Sequence, residues 1–390
     1  MQTYFKNVLD TGAAWRALNQ QDIPPTLILY VAETDTTQVI TNPAYEGLDL
    51  STPFTVTAVD ACEFYIGGRH YASLDGGQTW TLCEHWEGRN YQLAADDTLM
   101  LKSDYKYREG SRWNTDNFYE TSNDSSHRYK FSGNLMSLYC ENNYYKCYLP
   151  DDTELVEQSA FQGTFRERYG LVDAGDLIMP YNVQRSCFFE MFYGCSNLVT
   201  PPAFLPAKRT KDDCYGNMFG NCTSLTSVPY IHTGGSDIKH GVYQGMFQNC
   251  TSLTSVTQGM YLGTVTGETT VQIYETFKGC TNLTNAPAFN VLGGNMSLHR
   301  AFDGCSSLTD VSGIHIYGGG DNDVFYECFK GCSSLDHFEI YGENWPDFNS
   351  STFDGCAASG TFTVPAVTNY DPNDYIGNGI PSGWTIQRAS

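Results

Sequence analysis

The chain has 390 residues, enough for two or three domains with a sizeable core. Acids outnumber bases 44 to 22, for a formal charge of −22. That balance argues against a nucleic-acid backbone as partner, because phosphate contacts need clustered Lys and Arg, and it opposes adsorption to anionic lipid. Aromatics at 14% argue against general disorder, and no apolar run approaches the roughly 20 residues that span a bilayer.

In chain order, residues 1–25 read as a short amphipathic helix carrying Phe5, Val8, Leu9, Trp15 and Leu18, stopped by Pro24 and Pro25. It either packs on its own domain or serves as an attachment segment. With no uninterrupted apolar stretch and no lipobox-like cysteine, it is not read as a secretory leader. Residues 26–150 hold short segments rich in β-branched and aromatic residues, such as LILYVAET, PFTVTAV and QTWTLCE, separated by Gly, Asp and Asn. They predict a β-sandwich-like domain. Within it, Ser73 to Trp80 fits the S-x-D-x-G-x-T-W aspartate box, a structural turn motif; one copy reads as a hairpin turn. The stretch 103–127 is polar and rich in Tyr, Ser and Asn, and is expected to be a long loop. Asp151, Asp152, Glu154 and Glu157 mark 151–160 as a polar linker.

The strongest signal follows. Cys195, Cys222, Cys250, Cys280, Cys305, Cys332 and Cys356 recur at intervals of 24 to 30 residues. Around them lie MFYGCSNL, MFGNCTSL, MFQNCTSL, TFKGCTNL, AFDGCSSL, CFKGCSSL and the decayed TFDGCAAS. A Phe precedes each Cys by three residues, and a Leu follows six of the seven by three. Phe165, Arg168 and Leu171 form an earlier unit at the same spacing. Such a period predicts a solenoid of about eight coils over 161–365, with 366–390 as a cap containing Trp384.

Each position has a physical reason. An aromatic recurs about one turn before the repeat Phe (Phe161, Phe188, Tyr215, Tyr243, Tyr274, Tyr326), which predicts a short helical turn pressed on the core. Gly or Asn before the Cys allows a left-handed residue that ends the turn. The next Ser/Thr–Ser/Asn pair suits a tight turn. After the Leu, positions such as Val228, Val256, Ala286, Val311 and Phe338 begin a short strand. The expected class is therefore mainly β with short helices, its coils stacked into a parallel sheet.

The seven cysteines are expected to form a column of buried, reduced thiols acting as small hydrophobes; parallel Cβ vectors are poor disulfide geometry. Cys140 and Cys147 could pair in an oxidising setting. No CxxC, HExxH, GxSxG or phosphate-binding loop occurs, so no metal, no cofactor and no catalysis are expected.

The repeats resemble BspA-type leucine-rich repeats, close to the M-F-x-x-C-x-x-L variant of Bacteroidales and of phages that infect them. The resemblance implies surface display, adhesion and recognition of proteins or glycans. Without a leader, the expectation is a phage virion component at the virion surface, mounted on other virion proteins through its N-terminal region and binding host-surface glycan or protein through the repeats. A bacterial cell-surface adhesin and a purely architectural virion protein are the alternatives, and a homo-oligomer, as a trimer, is a further expectation. Recognition candidates in the divergent segments are Tyr230, Tyr261, His315, Tyr317, Trp345 and Phe348, since Tyr and Trp give large contact area with few rotors.

Overall fold

The computed structural model describes residues 26–31, 36–41, 52–84, 88–103, 118–138, 158–180, 184–207, 212–233, 240–256, 271–291, 296–316, 324–346 and 348–389. The N-terminal helix, the Cys140–Cys147 question, and Tyr261 and Tyr317 lie outside the described residues.

Strands β1 (Thr26–Val31) and β2 (Thr36–Thr41) form an antiparallel pair. Eight more follow: β3 (Phe54–Ala58), β4 (Cys62–Ile66), β5 (His70–Ser73), β6 (Thr81–Cys83), β7 (Arg89–Leu93), β8 (Thr98–Ser103), β9 (Phe118–Glu120) and β10 (Tyr129–Asn134). Two more, β11 (Leu171–Asp173) and β12 (Leu177–Ile178), come from the first coil of the repeat region. One sheet runs β11-β10-β3-β8-β5-β6, with β12 also on β10, and a second runs β7-β4-β9. Alternation buries one face of each strand, as with Leu99 and Leu101 in β8. The two buried faces meet through rings: Phe54 lies edge-on to Phe118 at 5.5 Å, and Phe64 to Tyr129 at 4.7 Å. This is the expected sandwich-like packing. Strand β9 sits inside the stretch expected to be a loop, and Phe118 is fully buried.

The aspartate-box sequence turns the β5–β6 hairpin. Asp75 accepts from the Thr79 hydroxyl at 2.6 Å and from its amide at 2.9 Å, and Ser73 donates to Asp75 at 2.7 Å. Those bonds, the Thr79 hydroxyl first, hold the Asp75 carboxyl down at about 2.

The repeats stack. Eight phenylalanines, Phe165, Phe192, Phe219, Phe247, Phe277, Phe302, Phe329 and Phe353, form one column with ring centroids 5.4–5.6 Å apart, and they number the coils one to eight. Leu171, Leu198, Leu225, Leu253, Leu283, Leu308 and Leu335 make a second column, all fully buried. Strand segments pair in parallel from coil to coil: β13 (Phe204–Ala207) with β14 (Tyr230–Thr233), β15 (Val271–Gln272) with β17 (Met296–Ser297), and β16 (Phe289–Val291) with β18 (Ile314–Ile316). Strands β19 (His337–Glu339), β20 (Gly360–Val364) and β21 (Trp384–Arg388) close the array.

The expected short helices are corrected. The described residues contain no α-helix, only 3-10 helices at Leu135–Leu138 and Pro372–Tyr375. The segment before each Cys is a ribbon of tandem turns. In the second coil, the amides of Phe188, Glu190, Phe192 and Gly194 donate to carbonyls of the third coil at 2.8–3.0 Å. The alternate amides of Phe189, Met191, Tyr193 and Cys195 donate three residues back at 3.1–3.2 Å. Every fourth residue is left-handed: Ser186 at φ 53°, Glu190 at 55°, Gly194 at 74°. A four-residue period places i and i+4 on one face just as a helix does, so the sequence pattern is the same. In this register Ile273, Leu298 and Phe325 take the inward place of the upstream aromatic. Tyr274 and Tyr326 stand one residue on and flank His299 at 5.2 and 4.8 Å. The ribbon already includes Ser159, whose amide donates to Arg185 at 3.0 Å, inside the stretch read as linker.

The sandwich and the solenoid share one core. Phe165 lies 5.6 Å from Phe54 and 4.6 Å from Phe131 on one side and 5.5 Å from Phe192 on the other. The Tyr129 amide donates to Gly170 at 3.0 Å. Arg168, in the cysteine position of the first coil, is 6% exposed and donates to the Phe118 carbonyl at 3.0 Å. The N-terminal sheets thus cover the first coil, the end cover that a stacked array needs.

Candidate functional site

The repeat cysteines lie inside the stack of coils. Cys195, Cys222, Cys250, Cys280, Cys305 and Cys332 are fully buried, and Cys356 is half-buried. Each of the seven thiols donates to the carbonyl of the Phe of the preceding coil, from Phe165 to Phe329, at 3.0–3.2 Å. Burial pushes the Cys195 and Cys280 thiols up to about 12, and pushes Cys222, Cys250, Cys305 and Cys332 well above the ordinary range. A thiolate is the nucleophile and the metal ligand, so the column is inert. All seven cysteines are free. The side chains open to solvent lie on the outer faces.

On the strand face, Tyr230 is 54% exposed and stacks on Phe204 across the β13–β14 pair, with centroids 5.7 Å apart. It lies between buried Pro229 and Ile231, so strand alternation turns it outward. His315 follows inward-facing Ile314 in the same way and meets Tyr341 at 4.6 Å. Trp345 and Phe348 are corrected. Phe348 is 3% exposed and packs edge-on to Phe325 at 4.6 Å and Phe353 at 5.3 Å. Trp345 stacks on Tyr375 at 3.8 Å, and its indole N–H donates to the Phe348 carbonyl at 3.3 Å. Both belong to the packing of the C-terminal end, because the array's last coils must bury their open face.

On the ribbon face, charges alternate along the axis. Glu275, Arg300 and Glu327 follow one another in coils five to seven, beside a second line of Lys278, Asp303 and Lys330. Arg300 Nε meets Glu327 at 2.5 Å, and Lys278 and Lys330 each reach the glutamate of their own coil at 2.7 Å. Side chains on this face lean over glycines of the next coil. Asp213, Asn217 and Asn249 fill the space that a Cβ would need at Gly241, Gly245 and Gly279. The sequence pattern before each Cys announced a left-handed residue, but not this lean.

At the junction, a cleft of about 740 Å³ is lined by Tyr119, Glu120, Thr121, Asn123, Arg166, Glu167 and Arg168. Its cations are engaged: Arg166 pairs with Glu190 and Glu167, and Arg168 holds the Phe118 carbonyl. Nearby, Ser122, His127 and Glu120 cluster, but Ser122 and Glu120 both contact Nδ1 of His127, at 2.8 and 3.2 Å. A proton relay needs the two ring nitrogens to face different partners, so this cluster is a turn lock.

A family model described as the BspA type leucine rich repeat region matches six copies, over residues 205–313 and 269–375. Residues 205–375 are a BspA-type leucine-rich repeat region. BspA-type repeats are generally non-catalytic, and the family is consistent with a surface binding or adhesion protein. The Phe column carries the BspA-like stack back to Phe165, ahead of the matched residues. No curated protein and no solved structure matches the chain.

Proposed function

We propose that this chain is a non-catalytic virion component of a phage. It is mounted on other virion proteins through its N-terminal region and displays its BspA-type solenoid to host-surface glycan or protein. The observation that carries the binding reading is the outward Phe204–Tyr230 stack on an otherwise inert scaffold: Tyr230 is 54% exposed on a rigid parallel strand pair. Rigid aromatics bind with little ordering entropy. The M-F-x-x-C-x-x-L form of the repeat supports the phage setting, and the charge of −22 suits a particle surface kept from adsorbing to nucleic acid.

The test compares host-cell binding by the purified full chain and by Tyr230→Ala. The variant should lose about tenfold or more in affinity, as removal of a central aromatic does, with an unchanged melting temperature. Equal binding by the variant moves recognition away from the strand face. Binding by neither protein favours a purely architectural role. Mass spectrometry of purified virions separates a virion component from a bacterial surface adhesin by its presence at defined copy number.

A further inference from the structure

The two ends of the solenoid differ. The N-terminal sheets cover the first coil through the Phe131–Phe165 contact and the bond from Arg168 to the Phe118 carbonyl. At the other end, β21 is the outer strand of the β19-β20-β21 sheet. Residues 348–389, which build that end, are all described, and among the described residues nothing pairs with the outer edge of β21.

The register fixes what that edge presents. β21 runs parallel to β20, with Thr363 beside Gln387, and the Ala389 amide donates to the Val364 carbonyl at 2.8 Å. In a parallel strand each residue sends its N–H and C=O to one side, and successive residues alternate. Thr385, Gln387 and Ala389 therefore face β20, while Trp384, Ile386 and Arg388 face away from it. The Trp384 amide turns back to the Pro381 carbonyl at 3.0 Å. The edge thus offers two donors, the amides of Ile386 and Arg388, and the carbonyls of Trp384, Ile386 and Arg388 as acceptors.

Native proteins guard open edges with charges, prolines or bulges. β21 pairs in unbroken register and contains no proline. Its one charge, the Arg388 guanidinium, is folded back onto the Pro365 and Ala366 carbonyls at 3.3 Å. In a chain of net charge −22, residues 379–389 contain no acid, so two copies meet least repulsion here.

We propose that β21 pairs antiparallel with β21 of a second copy, about a twofold axis between the two Ile386 residues. That register matches the edge. The Ile386 residues exchange both of their bonds, and each Arg388 amide donates to the Trp384 carbonyl of the other copy. All four free donors are bonded, and the Trp384 amides, already spent, are not called on. Ile386, packed against the core but only half-buried, meets its own counterpart and covers apolar surface at the open end. Exposed Thr385 and Gln387 face Gln387 and Thr385 of the other copy directly across the seam. Because the sandwich covers the first coil, head-to-tail stacking is blocked. The assembly therefore closes at two copies, with an N-terminal domain at each outer end. This pairing is independent of what the solenoid binds.

Sedimentation velocity of the full chain across a dilution series tests it. The wild type should pass reversibly from monomer to dimer. The variants Thr385→Lys/Gln387→Lys and Thr385→Glu/Gln387→Glu alter only exposed side chains, and circular dichroism confirms their fold. Each sets two like-charge pairs across the seam, so each alone should dimerise about tenfold more weakly. An equimolar mixture of the two should dimerise at least as well as wild type, a rescue that a folding defect would not give. Hydrogen exchange at the Ile386 and Arg388 amides should be slow in concentrated wild type and speed up on dilution. A wild type that is monomeric at every concentration, or trimeric, overturns the proposal. So does a dimer that both charged variants keep, a mixture no tighter than its components, or a dimer whose Ile386 exchange does not change.

Discussion

Replacing Cys250 by alanine and by serine separates the two things a buried thiol can supply. Its Sγ lies 3.2 Å from the Phe219 carbonyl, which also accepts the Cys222 amide at 3.1 Å. Cys250→Ala therefore leaves no orphaned acceptor, and the loss is packing around one missing sulfur, about 1–2 kcal/mol. Cys250→Ser keeps a donor but sets it back, because a C–O bond is shorter than a C–S bond. The hydroxyl then faces the carbonyl beyond the 2.5–3.0 Å that O–H donors prefer, and a poorly bonded buried hydroxyl costs about 1–3 kcal/mol. Added to the lost volume, this makes serine the worse substitution. Urea unfolding followed by circular dichroism should rank wild type above alanine above serine in Cm at unchanged m. Serine equal to or better than alanine would refute apolar packing as the role of the column. The same burial gives an alkaline arm. Cys195 and Cys280 stand at about 12 in the fold against an ordinary 9.0. Because the folded value is the higher one, their contribution is complete below about pH 9 and is lost as pH climbs from 9 toward 12. At pH 10 each such thiol favours the unfolded chain by about 1.4 kcal/mol. Stability should be flat from pH 6 to 8 and fall steeply above 9. Thiols that react freely with a disulfide reagent at pH 8 in the native protein would contradict it.

Phe247→Ala removes a ring stacked at 5.6 Å on both neighbours. It should cost about 3–5 kcal/mol and, because coils couple only to adjacent coils, split the unfolding curve into two transitions. Gly245 has φ +60° and its Cβ space is taken by Asn217 Oδ1, so Gly245→Ala should cost about 1–3 kcal/mol by chemical denaturation; Asn217→Ala in the same chain should restore part of it. Gly170→Ala would drive a Cβ into the His127 carbonyl. Faster hydrogen exchange at Tyr129, whose amide donates to Gly170, should report the loosened junction while the fourth to sixth coils stay protected.

The repeat was legible because a column needs the same residue at the same place in every coil. Phe, Cys and Leu at fixed offsets translate directly into three buried columns, and the aspartate-box hairpin follows from Asp75 and Thr79. The helical reading of the aromatic one turn before the repeat Phe failed for a physical reason: a four-residue turn period and a 3.6-residue helix both align i with i+4, and only the left-handed residue at every fourth place tells them apart. The same slip put Tyr274 and Tyr326 in a core position that Ile273 and Phe325 occupy. Strand β9 was hidden because three residues with one buried ring leave no pattern in a polar stretch. Trp345 and Phe348 looked like recognition residues because they sit in a divergent segment, yet divergence there reflects how the last coils seal the array. Tyr230 and His315 came from the same kind of divergent segment, and strand alternation is what turns them outward.

The alternating charges of coils five to seven set how such an array can grow. Glu275, Arg300 and Glu327 follow in line, beside Lys278, Asp303 and Lys330. Copying one coil in place would put Arg300 against its own duplicate, and Asp303 likewise, so the insertion would arrive with like charges facing across a single rung. Copying two coils together restores the alternation at both new seams. Gene duplication in this part of the array is therefore easiest in two-coil steps, and lineages that lengthen it should differ by even numbers of rungs.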